Sequence, residues 1–222
     1  MHFQQPPPKS SIFSKPALRT GLGIFLSLLS ALLLILAFHP YNQWYLAFLA
    51  LIPMRLAEYR FFPLKWAGLG SAIGVGGWLF VFLGQMFGTS GAGRVIQIVV
   101  AVIIVIQVFT TPGTRRFHER TGYRWFMLEG ITGWVGSEMI RSFIPPINTH
   151  AFISQTMYTQ PWMTQPISVF SLYGLSTLIV LINYALLQWI MHRVDRKWKL
   201  AEFPGIRPRQ VTVWLGTAGL SL

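Results

Sequence analysis

The stretch LAFHPYNQWYLAFLALIPM, residues 36 to 54, decides how this chain is threaded. It joins two apolar runs through a turn without charge, sets His39, Asn42 and Gln43 beside Tyr41, Trp44 and Tyr45, and holds Pro40 and Pro53. If the second run, Tyr41 to Leu56, crosses a bilayer, every later loop lies on one side; if it only dips in, they all change sides. Hydropathy leaves both readings open, because the run is short and Pro53 stands near its end. The distribution of charge separates them.

Of 222 residues, 53% are hydrophobic and 11% are charged, and the mean hydropathy is +0.50. A soluble domain carries roughly 25% charged residues, so a membrane protein is expected. The first run, Gly21 to Phe38, has no charge and covers about 27 Å as a helix at ~1.5 Å per residue, against a hydrocarbon core of ~30 Å. It is followed by His39 and Pro40 instead of a small-residue cleavage site, which marks a retained helix and not a signal peptide. Further runs extend over Leu64 to Gly88, Val95 to Phe109 with TTPG closing it, Trp125 to Phe143, and Val169 to Met191. A seventh begins near Val211, and the remaining stretch gives only about 18 Å of helix at ~1.5 Å per residue, too little to cross.

If runs one to six all span, sixteen of the eighteen Lys and Arg fall on one side. These are Lys9, Lys15 and Arg19 before run one, Arg55, Arg60 and Lys65 after run two, Arg115 to Arg124 after run four, and Arg193 to Arg209 after run six. Only Arg94 and Arg141 remain for the other side. The positive-inside rule makes the crowded side cytoplasmic. A re-entrant second run would erase that asymmetry, so it is expected to cross, leaving the neutral turn outside with its aromatic residues at the outer boundary. The expected fold is all-α, a polytopic transmembrane helix bundle with six spanning helices plus the start of a seventh. Residues 1–19 read as a disordered basic cytoplasmic tail, 20–200 as the bundle, and 201–222 as a cytoplasmic linker and the truncated start of helix seven. The net charge of +12 is thereby read as topology. With the basic residues spread over short loops, no folded basic face is foreseen and no nucleic acid is expected as partner.

Ionisable groups inside an apolar run are costly and are therefore candidates for function. The fifth run, RWFMLEGITGWVGSEMIRSF, carries Glu129, Glu138 and Arg141. At about 100° per residue, Glu138 and Arg141 project within roughly 60° of each other, so this i, i+3 pair is placed to bond along the helix. Counted from Arg124 they lie about 21 and 25 Å along it at ~1.5 Å per residue, near the outer boundary. There Arg141 could reach a lipid phosphate or position an outer domain; the plainer alternative is an internal salt bridge that anchors the helix. Glu129 points the opposite way, onto the small face of Thr132, Gly133 and Gly136, where a hydrogen bond to another helix is expected. In the third run Gly70, Gly74, Gly77, Gly84 and Gly88 share a face, read as close helix packing with a lipid groove as the alternative. His39 and His150 lack a carboxylate at fixed spacing and are assigned no catalytic role. No residues have metal-ligand spacing, so neither metal nor cofactor is expected.

Three segments, in this order and at these distances, resemble the membrane domain of the apolipoprotein N-acyltransferases, bacterial enzymes that add the third acyl chain to lipoproteins. LAFHPYNQWYLAFLALIPM is similar to the family's first hairpin, where an apolar helix ends in a Pro-aromatic-Asn turn and the next begins with Trp and ends in Pro. WVGSEMIRSF resembles its Glu-x-x-Arg helix, with Glu138 and Arg141 at the matching positions. QPISVFSLYGLSTLIVLINYALL is similar to a Tyr-Gly-Leu-Ser step leading into an apolar helix, which here holds Asn183, a second buried polar candidate beside Glu129.

The resemblance implies an integral protein of the inner membrane, with phospholipid and lipidated protein as partners and a nitrilase-like domain on the outer side. In that domain a Glu-Lys-Cys set works: the cysteine takes the acyl group as a thioester, the glutamate acts as base and the lysine stabilises the oxyanion. This chain departs from the pattern, for it has no cysteine and its five lysines all fall on the crowded side. A nucleophile activated by a neighbouring base cannot be assembled from it. No catalytic residue is therefore assigned, and the chain alone is expected to be inactive: the membrane half of such an enzyme, either a fragment or a degenerate relative. Two alternatives stand beside this reading. One is a non-catalytic membrane scaffold that docks a separate enzyme; the other is a small transporter, against which speak the lack of a repeat and the single acid at mid-membrane, Glu129.

Overall fold

The computed structural model describes residues 15–88, 91–143, 148–165, 167–198 and 206–220. The expected tail lies outside the described residues up to position 14, and so do residues 199–205 of the expected bundle end and linker. No strand occurs among the described residues. The long helices are α1 (Pro16–Ala37), α3 (Leu69–Phe87), α4 (Gly91–Thr121), α5 (Phe126–Ser142) and α7 (Ile167–Trp198); α2 (Ile52–Leu56), α6 (Pro161–Thr164) and α8 (Pro208–Leu220) are shorter. Pro16 opens α1 because its missing N–H is no loss in a first helical turn.

Four helical stretches among the described residues are long and apolar enough to cross a bilayer: Pro16–Ala37, Leu64–Phe87, Gly93–Thr121 and Ile167–Trp198. On α4, Val95, Ile98, Val102, Ile106 and Phe109 are all exposed, the last by 79%. A continuous apolar flank of this kind belongs against lipid, not water. The chain is a membrane protein built of helices. α5, with 17 residues and three ionisable side chains, and the second run fall short of the same measure.

The second run is not one helix. It winds as a 3-10 turn over Trp44–Phe48, passes through a bend into α2, and ends in a π-wound turn over Ala57–Phe61. Breaking a helix at membrane depth frees backbone groups that lipid cannot satisfy, so such a break survives only where protein supplies the bonds. Two side chains do so. Asn183 of α7 accepts from the Leu51 N–H at 3.0 Å and donates to the Ala47 carbonyl at 2.8 Å, and Ser30 of α1 accepts from the Met54 N–H at 2.8 Å. The segment meets α7 midway and at one end, and residue 158, ahead of α6, at the other. Asn42 accepts from the Tyr158 hydroxyl at 3.0 Å at one end, Leu51 meets Asn183 midway, and Arg60 reaches Asp195 at the other end.

The fourth run also differs from expectation. TTPG does not close it: α4 continues through Pro112 to Thr121. Proline removes a helical donor. Its missing bond would have gone to the Val108 carbonyl; Thr110 and Thr111 turn their hydroxyls onto the neighbouring carbonyls of Ile106 and Gln107, at 3.0 and 2.6 Å, and do not replace it. Arg115, Arg116 and Arg120 consequently stand on a helix and not in a loop.

The five glycines read as one face of the third run divide into two groups. A Cβ at Gly74 would come within 2.8 Å of the Met54 sulfur, one at Gly77 within 3.3 Å of Ala31, and one at Gly70 would strike Glu58. These three let α1 and the second run close on α3. Gly84 and Gly88 face open space.

Candidate functional site

The polar residues of α5 look in two directions. Glu138 is fully buried; its Oε1 accepts from the Trp134 indole N–H at 3.0 Å and from the Ile153 backbone N–H at 2.7 Å. Its Oε2 faces Ser176 of α7 without forming a hydrogen bond, and that hydroxyl is likewise buried and unbonded. Glu138 thus fastens the 3-10 turn Ile153–Met157 to α5. It forms no ion pair with Arg141, although the two are one helical turn apart. Arg141 instead lies with its guanidinium carbon 5.8 Å from the centre of the Phe152 ring, its Nε 3.4 Å from the Ser137 carbonyl, and its Nη donors unpaired among the described residues.

Those donors border a cleft of about 390 Å³ that separates α5 from α3 and α4. Its walls are apolar through the middle, with Leu79 from α3, Val100 and Ile104 from α4, and Ile140 from α5. Ile140 and Ile103 are exposed by 68% and 40%, so the cleft opens along its flank. Arg141, His150 and Ala151 form one end; Glu129, Arg55, Thr111 and Thr114 form the other. Glu129 and Arg141 stand about 18 Å apart along α5 at ~1.5 Å per residue, a little over half of a ~30 Å hydrocarbon core. Glu129 does look across to another helix: its Oε2 lies 3.4 Å from Nε2 of His118, a fully buried residue of α4, though the two do not meet in hydrogen-bond geometry.

A second polar assembly was hidden from the sequence. At the end of the bundle that gathers the basic residues, the π-wound turn buries Glu58, Tyr59 and Arg60 in succession. Arg60 forms a two-pronged pair with Asp195 of α7, at 2.6 and 2.8 Å, and donates to the Tyr123 hydroxyl at 2.7 Å. Glu58 accepts from Arg55 at 2.8 Å and from the Ser71 N–H at 2.7 Å, placing its charge on the first turn of α3 where the helix dipole favours an anion. Burial pushes the Tyr123 phenol above its ordinary range against the opposing pull of Arg60, so it stays neutral. The available signal was scarcity: the whole chain has six acids, and four of them, Glu58, Glu129, Glu138 and Asp195, lie within or just beyond an apolar run.

The cleft suits an amphiphile: an anionic group at the Arg141 guanidinium and a hydrocarbon chain along the apolar walls. It offers no cysteine, because the sequence has none. Searches of the curated proteins and of the solved structures give no match. The sequence model described as the apolipoprotein N-acyltransferase N-terminal domain matches residues 30–185, a span that takes in the broken second run, all three walls of the cleft, and Asn183. The chain therefore belongs to the family of apolipoprotein N-acyltransferase N-terminal domains.

Proposed function

We propose that these residues form the lipid-holding membrane domain of an apolipoprotein N-acyltransferase, seated in the inner membrane with its N-terminus in the cytoplasm. The chain crosses six times, and α8 begins a seventh crossing. Support for counting the broken second run as a crossing comes from its bonds to α7 midway and at one end, and to Tyr158, ahead of α6, at the other. The cleft carries the functional reading. A phospholipid or a lipidated peptide enters from the flank, its chain lies against Leu79, Val100 and Ile104, and Arg141 holds its phosphate or orients the outer domain. Glu138 acts through the Ile153–Met157 turn, fixing the rim next to Arg141. Thioester formation falls to a nitrilase-like domain, on the same polypeptide or separate, since no cysteine is present among these 222 residues.

The test is photo-crosslinking of the chain in vesicles that contain a phosphatidylethanolamine with a diazirine near the end of one acyl chain. Label should concentrate on Leu79, Val100 and Ile104, and Ile104→Trp, which fills the cleft, should reduce it severalfold. Even labelling over every lipid-facing residue would sink the proposal. In an enzyme that carries the nitrilase-like domain, Arg141→Ala should lower acyl transfer at least about tenfold with insertion intact, the loss of one charge-assisted phosphate contact.

A further inference from the structure

A second cavity, of about 440 Å³, lies at the basic end of the bundle, between the start of α1, residues 61–64 and the last turns of α4. Arg19, Arg115, Arg116 and Arg120 border it, against a single acid, Glu119. The four arginines are not equivalent. Arg115 is committed inward: its Nε pairs with Glu119 at 2.8 Å, and its Nη1 donates to the carbonyls of Glu58 and Phe62 at 2.7 and 2.9 Å. That pairing also uses the only acid in the cavity wall. Arg19 rests its Nη2 on the Arg60 carbonyl at 2.8 Å. Arg116 and Arg120 are exposed, one turn apart on α4, and form no hydrogen bond or ion pair among the described residues. Like charges at i, i+4 repel each other. An anion between them would turn that repulsion into binding.

The location says which anion. The remaining wall is apolar, with Phe61, Pro63 and Leu64. Close by in the chain, Leu18, Trp66 and Phe117 are exposed, and the Lys65 ammonium lies 5.4 Å from the Trp66 ring. Exposed aromatic residues together with lysine mark the level at which hydrocarbon gives way to headgroups. The cavity therefore opens at headgroup depth, with an apolar wall on the side where glycerol and the first methylenes would lie.

We propose that this cavity binds the phosphodiester headgroup of an anionic phospholipid, with Arg116 and Arg120 holding the phosphate oxygens and Arg19 facing them from α1. Guanidinium forks match phosphate geometry, and each such contact is charge-assisted. A zwitterionic headgroup is disfavoured because its ammonium would meet the same arginines. The site lies at the opposite end of the bundle from Arg141 and is independent of acyl transfer; it requires only that α1 and α4 cross a bilayer.

The experiment uses the full chain purified in dodecyl maltoside, titrated separately with dioleoylphosphatidylglycerol, dioleoylphosphatidylcholine and inorganic phosphate, with bound ligand counted by native mass spectrometry. One phosphatidylglycerol should bind more tightly than any phosphatidylcholine. Arg116→Gln with Arg120→Gln should weaken that binding about tenfold or more while leaving the thermal midpoint of the lipid-free protein in place, since neither side chain is bonded among the described residues. Arg124→Gln with Arg196→Gln removes the same charge from exposed positions that do not border the cavity, and should change the affinity less than about twofold in physiological salt. Equal weakening in both double variants would mean diffuse surface attraction and would overturn the site. So would undiminished binding by the first. Saturation by inorganic phosphate at the affinity of phosphatidylglycerol would overturn the lipid assignment.

Discussion

At Asn183 one amide side chain holds together a break in the chain at membrane depth. Its carbonyl takes the Leu51 N–H, and its NH₂ reaches the carbonyls of Ala47 and Ile179, at 3.0, 2.8 and 2.9 Å. Replacing it with leucine leaves a buried donor and a buried acceptor unpaired. Asn183→Leu should therefore cost about 1–3 kcal/mol of stability, read as a lowered unfolding midpoint in detergent, whereas the same change at an amide on the surface should cost little. Arg60 and Asp195 carry a larger stake, because Arg60 is buried and its partner neutralises it. Asp195→Ala should destabilise by about 3–5 kcal/mol, and adding Arg60→Met should recover much of the loss by removing the stranded charge. Equal unfolding midpoints for the single and double variants would show that the pair is not the source.

Among the elements, α5 depends on how closely it approaches α7. A Cβ placed at Gly130 would run into the Tyr184 ring, which packs on Phe126 with centroids 5.1 Å apart. Gly130→Ala should therefore cost about 1–3 kcal/mol through forced repacking, while Gly136→Ala, which meets open space, should be near neutral. Several of these elements could be read from residue order alone. The apolar runs gave the existence of α1, α3 and α7 with one end each to within about two residues and the other end five to seven residues off, because eighteen or more uncharged residues leave a chain little choice of structure but do not mark where it stops. What could not be read is where helices bend. Pro53 and Pro112 look alike as punctuation, yet the first sits in a run that changes winding twice and the second in a helix that continues. At the first, the broken backbone is held by partners far along the chain, Asn183 and Ser30, which residue order does not announce. The site divides in the same way. Glu138, Arg141 and Glu129 were legible as costly groups in an apolar run, whereas the separation of Glu138 from Arg141 depends on the Ile153 N–H, fifteen positions away. Glu58 and Asp195 were passed over because each stands beside arginines that looked like loop charges.

For the molecule as a whole, the ends of the bundle are chemically unlike. Arg19, Arg60, Arg115 and Asp195 are interlinked at one, while Asn42, Tyr158, Trp44 and Trp162 meet at the other with no charge among them. In the proposed six-crossing topology these ends lie on opposite faces of a bilayer. Since the chain has no cysteine, single introduced cysteines report without background. An impermeant maleimide added to cells should label Asn42→Cys and leave Arg116→Cys untouched until the membrane is opened; the reverse pattern would invert the topology and remove the basis for the proposed orientation.

The clamp at Asn183 also sets an order of events during synthesis. Leu51 leaves the ribosome 132 positions ahead of the side chain that will receive its N–H. At the usual ~5–20 residues per second, that interval is on the order of ten seconds. For that time the nascent second segment has no permanent acceptor, and something else, the insertion machinery or water held within it, has to occupy the gap.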